Sequence, residues 1–125
     1  MLEIKDRISD TDYPQADIWL TRGDTAYIEV PVFEMDGETP YLVTDNDVVT
    51  LQVREALVTG IGREPRLIMQ GRISVSEGVP LWTITHQDST IPAKTYTWDA
   101  QIILASGDVN TYVGGNFTIT GENTL

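Results

Sequence analysis

A period of two runs through most of this chain. In residues 95–104, Tyr96, Trp98, Ala100, Ile102 and Leu104 form one apolar stripe, while Thr97, Asp99 and Gln101 point the other way. A β-strand sends alternate side chains to opposite faces, so this run fits a strand buried on one side. The same alternation recurs at residues 25–33, with Ala26, Ile28, Val30 and Val32 in phase, and at 48–55, with Val49, Leu51 and Val53 in phase.

Turn signals separate these runs about every ten residues. Asp36-Gly37 is a strong turn pair, and Ser106-Gly107-Asp108 is another. Pro31 has no N–H for a ladder, which predicts an edge or a bulge. Gly71, between the runs 66–70 and 72–75, predicts a bulge or bend. Gly114-Gly115 predicts a bulge in the last strand, 109–120. Gly78 precedes a run 80–86 in which Trp82 and Ile84 align. Helical signals are poor: a turn of helix at 54–57 is stopped by Gly60 and Gly62, and residues 58–65 read as an exposed loop. The expectation is all-β, with about seven or eight mainly antiparallel strands in a sandwich or a small barrel.

With 125 residues, the chain is long enough for one domain with a real core. Residues 1–15, with Asp10-Thr11-Asp12-Tyr13-Pro14 as a junction, read as an N-terminal strand or an arm, and 16–125 as the sandwich domain. Composition removes several functions. There are 19 acidic and 8 basic residues, a net charge of -11. The cations form no dense run, so neither nucleic acid nor an anionic membrane is an expected partner. No cysteine is present, which removes disulfides, thiolate catalysis and cysteine-held metals. No apolar run approaches the roughly 20 residues of a membrane span. The charged start Met1-Leu2-Glu3-Ile4-Lys5-Asp6 is no signal peptide, which points to synthesis in a cytoplasm.

Tyr96 opens a late strand and Trp98 follows two residues on. Immunoglobulin-like sandwiches place a tyrosine at this corner and tie its hydroxyl to upstream backbone, and Trp98 would then fill the place of the antibody cysteine. The alternative is an ordinary aromatic pair on a strand face. A wider frame carries a family resemblance. It consists of Arg22-Gly23-Asp24-Thr25, Asp36-Gly37, Val53-Arg54, Thr83-Ile84-Thr85, Tyr96-Thr97-Trp98-Asp99-Ala100-Gln101-Ile102 and the stretch from Thr111 to Ile119. From about Asp17 to Thr120 the chain resembles the small immunoglobulin-like domains of tailed-phage and prophage structural proteins, in particular the N-terminal domain of upper baseplate proteins. The resemblance implies an immunoglobulin-like β-sandwich with no enzymatic activity and no cofactor. It further implies a place in the virion tail after synthesis in the bacterial host cytoplasm. Its partners would be other tail or baseplate proteins and further copies of itself.

The residues with chemical potential each have a structural reading beside them. Arg22-Gly23-Asp24 matches an adhesion tripeptide but fits a tight hairpin turn. His86, the single histidine, reads as a strand-end residue rather than a base or a ligand, with Asp88 nearby in sequence. Acidic groups at Asp10 and Asp12, at Asp45-Asn46-Asp47 and at Glu34, Asp36 and Glu38 lack the spacing of a calcium loop; Asp45 and Asp47 are the best of them, yet fit a turn cap. No catalytic, cofactor or metal residues are therefore assigned. Trp82 and Trp98 lie on apolar faces and belong to the core. Trp19 lies opposite Ile18 and Leu20, so its ring is expected to be exposed. Trp19 and Tyr41 form the candidate interaction surface, for a protein neighbour or, alternatively, for a cell-wall or surface glycan if the domain is a carbohydrate-binding module.

Overall fold

The computed structural model describes residues 14–34, 38–55 and 66–121. The strands in chain order are β1 (Ile18–Thr21), β2 (Ala26–Glu29), β3 (Val32–Phe33), β4 (Pro40–Tyr41), β5 (Val48–Glu55), β6 (Leu67–Gln70), β7 (Arg72–Ser76) and β8 (Val79–Ile84). A short helix α1 (His86–Ser89) follows, then β9 (Thr95–Ile103) and β10 (Val109–Thr120). β3 and β4 are two-residue stubs, seven of the other eight fall on runs expected from the sequence, and β1 is a strand those runs did not include. Five strands form one sheet in the order β1-β10-β9-β5-β6, and three form a second, β2-β8-β7. All pairings are antiparallel except β1 with β10, where Ile18 aligns with Phe117 and Leu20 with Ile119.

The predicted stripes line one shared interior. Leu51 and Val53 of β5, Tyr96, Trp98, Ala100 and Ile102 of β9, and Phe117 and Ile119 of β10 are buried. They meet Trp82 and Ile84 from the three-stranded sheet. Trp82 joins the two layers, with its ring 5.7 Å from Trp98 and 5.5 Å from Phe117. Such tilted aromatic pairs add to the apolar area they bury.

Single residues move the chain between layers. Val30 still bonds to Pro80 O, but Pro31 ends β2, and β3 then pairs with β4 instead. Gly71 is the point where the chain leaves the five-stranded sheet for the other. Its N–H donates to Leu51 O at 2.6 Å, and a Cβ there would lie 2.8 Å from Leu51 Cδ2. The segment from Arg22 to Asp24 is a tight turn, with Asp24 N–H donating to Thr21 O and Gly23 at φ +90°. It links β1 to β2 across the two sheets, however, so it is no hairpin.

Two further expectations are corrected. The bulge of the last strand falls at Tyr112, between Thr111 and Val113, not at Gly114-Gly115. The extra residue there turns Tyr112 inward, where its hydroxyl donates to Val30 O at 2.8 Å. Gly115 serves a different need: a Cβ would collide with the Ala16 carbonyl of the segment that runs alongside β10. That segment is held by Ala16 N–H to Gly114 O, by Trp98 Nε1–H to Ala16 O at 2.8 Å and by Asn116 N–H to the Asp17 carboxylate. His86 is the other correction, because it opens α1 rather than ending a strand. Thr85 caps that helix reciprocally with Asp88. The hydroxyl of Tyr96 donates to Pro92 O at 2.7 Å, the upstream tie expected of a corner tyrosine. Residues 1–13, Asp36-Gly37 and 58–65, for which the sequence sets expectations, lie outside the described residues; of the helical turn expected at 54–57, Arg54 and Glu55 are strand and the rest lies outside as well.

The two kinds of tryptophan should respond differently to truncation. Trp82→Ala is expected to cost about 3–5 kcal/mol in denaturant unfolding, as for other buried aromatics. Trp19→Ala, at a site 66% exposed, should stay within about 0.5 kcal/mol of the parent.

Candidate interaction surface

The outward face of the five-stranded sheet is built by the residues out of phase with the core. Reading across β5, β9 and β10, the register sets them in rows. Val48, Ile103 and Val109 form the first row. Thr50, Gln101 and Thr111 form the second, and Gln101 Nε2 reaches Thr111 Oγ1 at 3.4 Å. Gln52, Asp99 and Gly114 form the third. Arg54, Thr97 and Asn116 form the fourth, with Arg54 Nη2 donating to Gln52 Oε1. Directly opposed side chains on one face stand about 5 Å apart, so each row is a continuous strip.

Two properties of this face stand out. In a chain of net charge -11 its rows carry one carboxylate, Asp99, and one guanidinium, Arg54. Its first row is apolar and open, with Val48 and Val109 each more than half exposed. Asp99 is half-buried, and that burial pushes its carboxyl above the usual carboxylate range, with Arg54 opposing the shift.

The two residues assigned from sequence are not brought together. Trp19 stands on β1, at the edge of the five-stranded sheet beside Thr118, with its ring exposed as expected. Tyr41 is on β4 and is half-buried rather than open. Its hydroxyl donates to Asp47 Oδ2 at 2.7 Å, and burial together with that neighbour pushes its pKa up to about 12. The same Asp47 oxygen accepts from Thr44 N–H and Thr44 Oγ1. Burial favours protonation of Asp47, but these hydrogen bonds outweigh it and hold the carboxyl below its usual range. Asp47 thus closes the turn at Thr44, as the sequence reading preferred over calcium. Among the described residues no group of three or more His, Asp or Glu side chains is placed to hold a metal.

The other candidates are spent on structure. His86 Nδ1 lies 2.7 Å from Gly23 O and donates to it. Asp88 accepts two hydrogen bonds from Arg72, at 2.8 and 3.2 Å, and one from Thr85 N–H, so His86 and Asp88 serve different partners. Buried Ser89 donates to Asp24 O, and Arg22 Nε donates to Ile91 O. The Arg22-Gly23-Asp24 turn is clamped to α1 rather than displayed as a free loop. Among known proteins, no family model and no curated sequence matches this chain.

The apolar row went unassigned in the sequence reading, although its signal is there. Val48 and Ile103 fall out of phase with their own strands' core stripes, and an apolar residue on the wrong parity marks a face that something covers. Tyr27, Phe33 and Leu42 are further exposed apolar residues, on β2, on β3 and just after β4.

Asp99 offers a direct check of this face. A carboxyl with a raised folded pKa makes the protein less stable as pH rises from the unfolded value through the folded one. Asp99→Asn should therefore raise stability at neutral pH. That advantage should fade as pH falls through the raised folded value towards the ordinary range, followed by thermal unfolding at a series of pH values.

Proposed function

We propose that this chain is a non-enzymatic, immunoglobulin-like structural module of a bacteriophage or prophage tail or baseplate, and that it works through protein–protein contacts. The observation that carries the contact reading is the broad, charge-poor face with an open apolar row on a strongly acidic molecule. Interface centres are depleted in charge, whereas ordinary surface is not. Two features support the immunoglobulin-like part. The sheets β2-β8-β7 and β10-β9-β5-β6, with β1 beside β10, have the strand grouping of a variable-type domain. The Tyr96 hydroxyl tie and Trp98 two residues later have the form of the tyrosine corner.

The virion part rests on the sequence resemblance. The segments that carry it occupy the turn between the two sheets (Arg22 to Thr25), the central strand β9 and the strand β10. In this role the fold supplies a rigid block and the exposed faces supply the contacts. The glycan reading has less to stand on. Stacking platforms set two or more aromatics on one face, and Trp19, Tyr27 and Phe33 stand on three different sheets.

The test is to tag the chain in the bacterium that encodes it, induce particle production and fractionate on a density gradient. Co-sedimentation with tail proteins at a fixed stoichiometry is expected. Recovery solely in the soluble fraction, while tail proteins sediment, would contradict the proposal.

A further inference from the structure

Asp99 differs from the other carboxylates on and beside the strands. Asp17, Asp47, Glu55 and Asp88 each accept hydrogen bonds from named neighbours. No hydrogen bond from the described residues reaches the Asp99 carboxyl, although it is half-buried. It stands on the outward side of β9, the central strand of the five-stranded sheet. Its row partners are Gln52 and Gly114, and Thr97 and Gln101 flank it along β9 on the same face. Among the described residues one charged group faces it, Arg54 of β5. Arg54 Nη2 donates to Gln52 Oε1 at 2.8 Å, and Asp99 feels the guanidinium through its field. β10 brings Thr111, Gly114 and Asn116 to this face, none of them charged.

Such a group weakens the domain that carries it. Burial penalises the charged form, and no hydrogen bond offsets that here. A neutral side chain at this position would serve the isolated fold better. A residue that costs stability in the middle of a contact face is accounted for by what covers the face.

We propose that Asp99 anchors the interface by pairing with a Lys or Arg side chain of a different protein in the particle. The inference rests on the contact reading above and names the chemistry of the partner. Apolar side chains of that partner then cover Val48, Ile103 and Val109, two rows away, while its cation meets Asp99. A carboxylate closed off from water needs a cation or a proton. Asn would do the work of a protonated Asp without weakening the fold, which leaves the cation. The charge also selects the partner. A surface with no cation at this point leaves Asp99 covered and unpaired, and is rejected. A second copy docked along β9 is such a surface, because it sets Asp99 against Asp99. The net charge of -11 adds to that rejection and favours a basic neighbour. The occupant is therefore another chain.

Competition for places in the particle tests the pairing. The parent chain and Asp99→Asn, with different tags, are expressed in equal amounts in the encoding bacterium during particle production. Mass spectrometry then counts both in purified particles. Thermal unfolding checks that Asp99→Asn is folded, and it should be the more stable of the two at neutral pH. The parent should nevertheless exceed it in particles by about thirtyfold or more, the loss expected on breaking a covered charge pair. Asp99→Lys should be excluded more strongly still. A photoreactive side chain in place of Thr97 traps the neighbouring chain, and changing the Lys or Arg of the trapped segment to Asp should readmit Asp99→Lys. Equal or preferential entry of Asp99→Asn would overturn the inference. So would failure of every such reversal to readmit Asp99→Lys. Either result, with the parent still in particles, leaves the assembly role standing. Absence of the parent itself from particles removes that role and this inference with it.

Discussion

Everything in this molecule depends on Trp82 standing between the two sheets. It comes from the centre of the three-stranded layer and touches Trp98 and Phe117 of the five-stranded one. Buried Tyr112 adds a second link between the layers, through its hydroxyl bond to Val30 O. Trp98 extends the chain of dependence, because its indole N–H holds the Ala16 carbonyl and so fixes the segment leading into β1. An indole needs such a partner when buried, and the backbone beside Gly115 supplies it. The aromatic cluster therefore sets the spacing of the layers and the position of the edge strand together.

That arrangement leaves the outer faces with no part in holding the core. The three-stranded sheet uses its outer side partly for the Arg72–Asp88 pair, which ties β7 to α1. Charge also collects at one end of β5, where Glu55 takes both Arg66 and Lys94. Exposed pairs of this kind contribute little to stability. The row of Val48, Ile103 and Val109 keeps apolar surface in water, a pattern that fits a face completed by another molecule. Asp99, held with a raised pKa in the middle of that face, is a carboxylate retained against its own desolvation.

The strands and the core were legible in the sequence, because alternation distinguishes the two faces of each strand. Residues 95–104 read correctly to the last core position. What alternation does not encode is the partner of each strand. The turn at Arg22 to Asp24 looks like a hairpin, and only the pairing of β1 with β10 and of β2 with β8 shows that it changes layers. Gly114-Gly115 looked like a bulge because glycine marks close approach as well as bends, and here close approach is the cause. Tyr112 made the bulge instead, since its hydroxyl must reach Val30 O. The helix α1 was signalled by Thr85 and Asp88 three residues apart, but a single turn leaves no periodicity to find. Tyr41 is aromatic and lies near a turn, and sequence alone does not reveal that Asp47 would bind its hydroxyl. The outer face was written in residues of the wrong parity, Val48 and Ile103, which a search for core stripes passes over.

The proposal that this domain meets its partner through the outer face of β5, β9 and β10 is most directly tested by amide hydrogen exchange of the chain, free and within assembled particles. The account predicts protection on assembly centred on Val48, Gln101, Ile103 and Val109, with Tyr27 and Leu81 on the opposite sheet unchanged. Protection centred on the three-stranded sheet, or none gained on assembly, would contradict it.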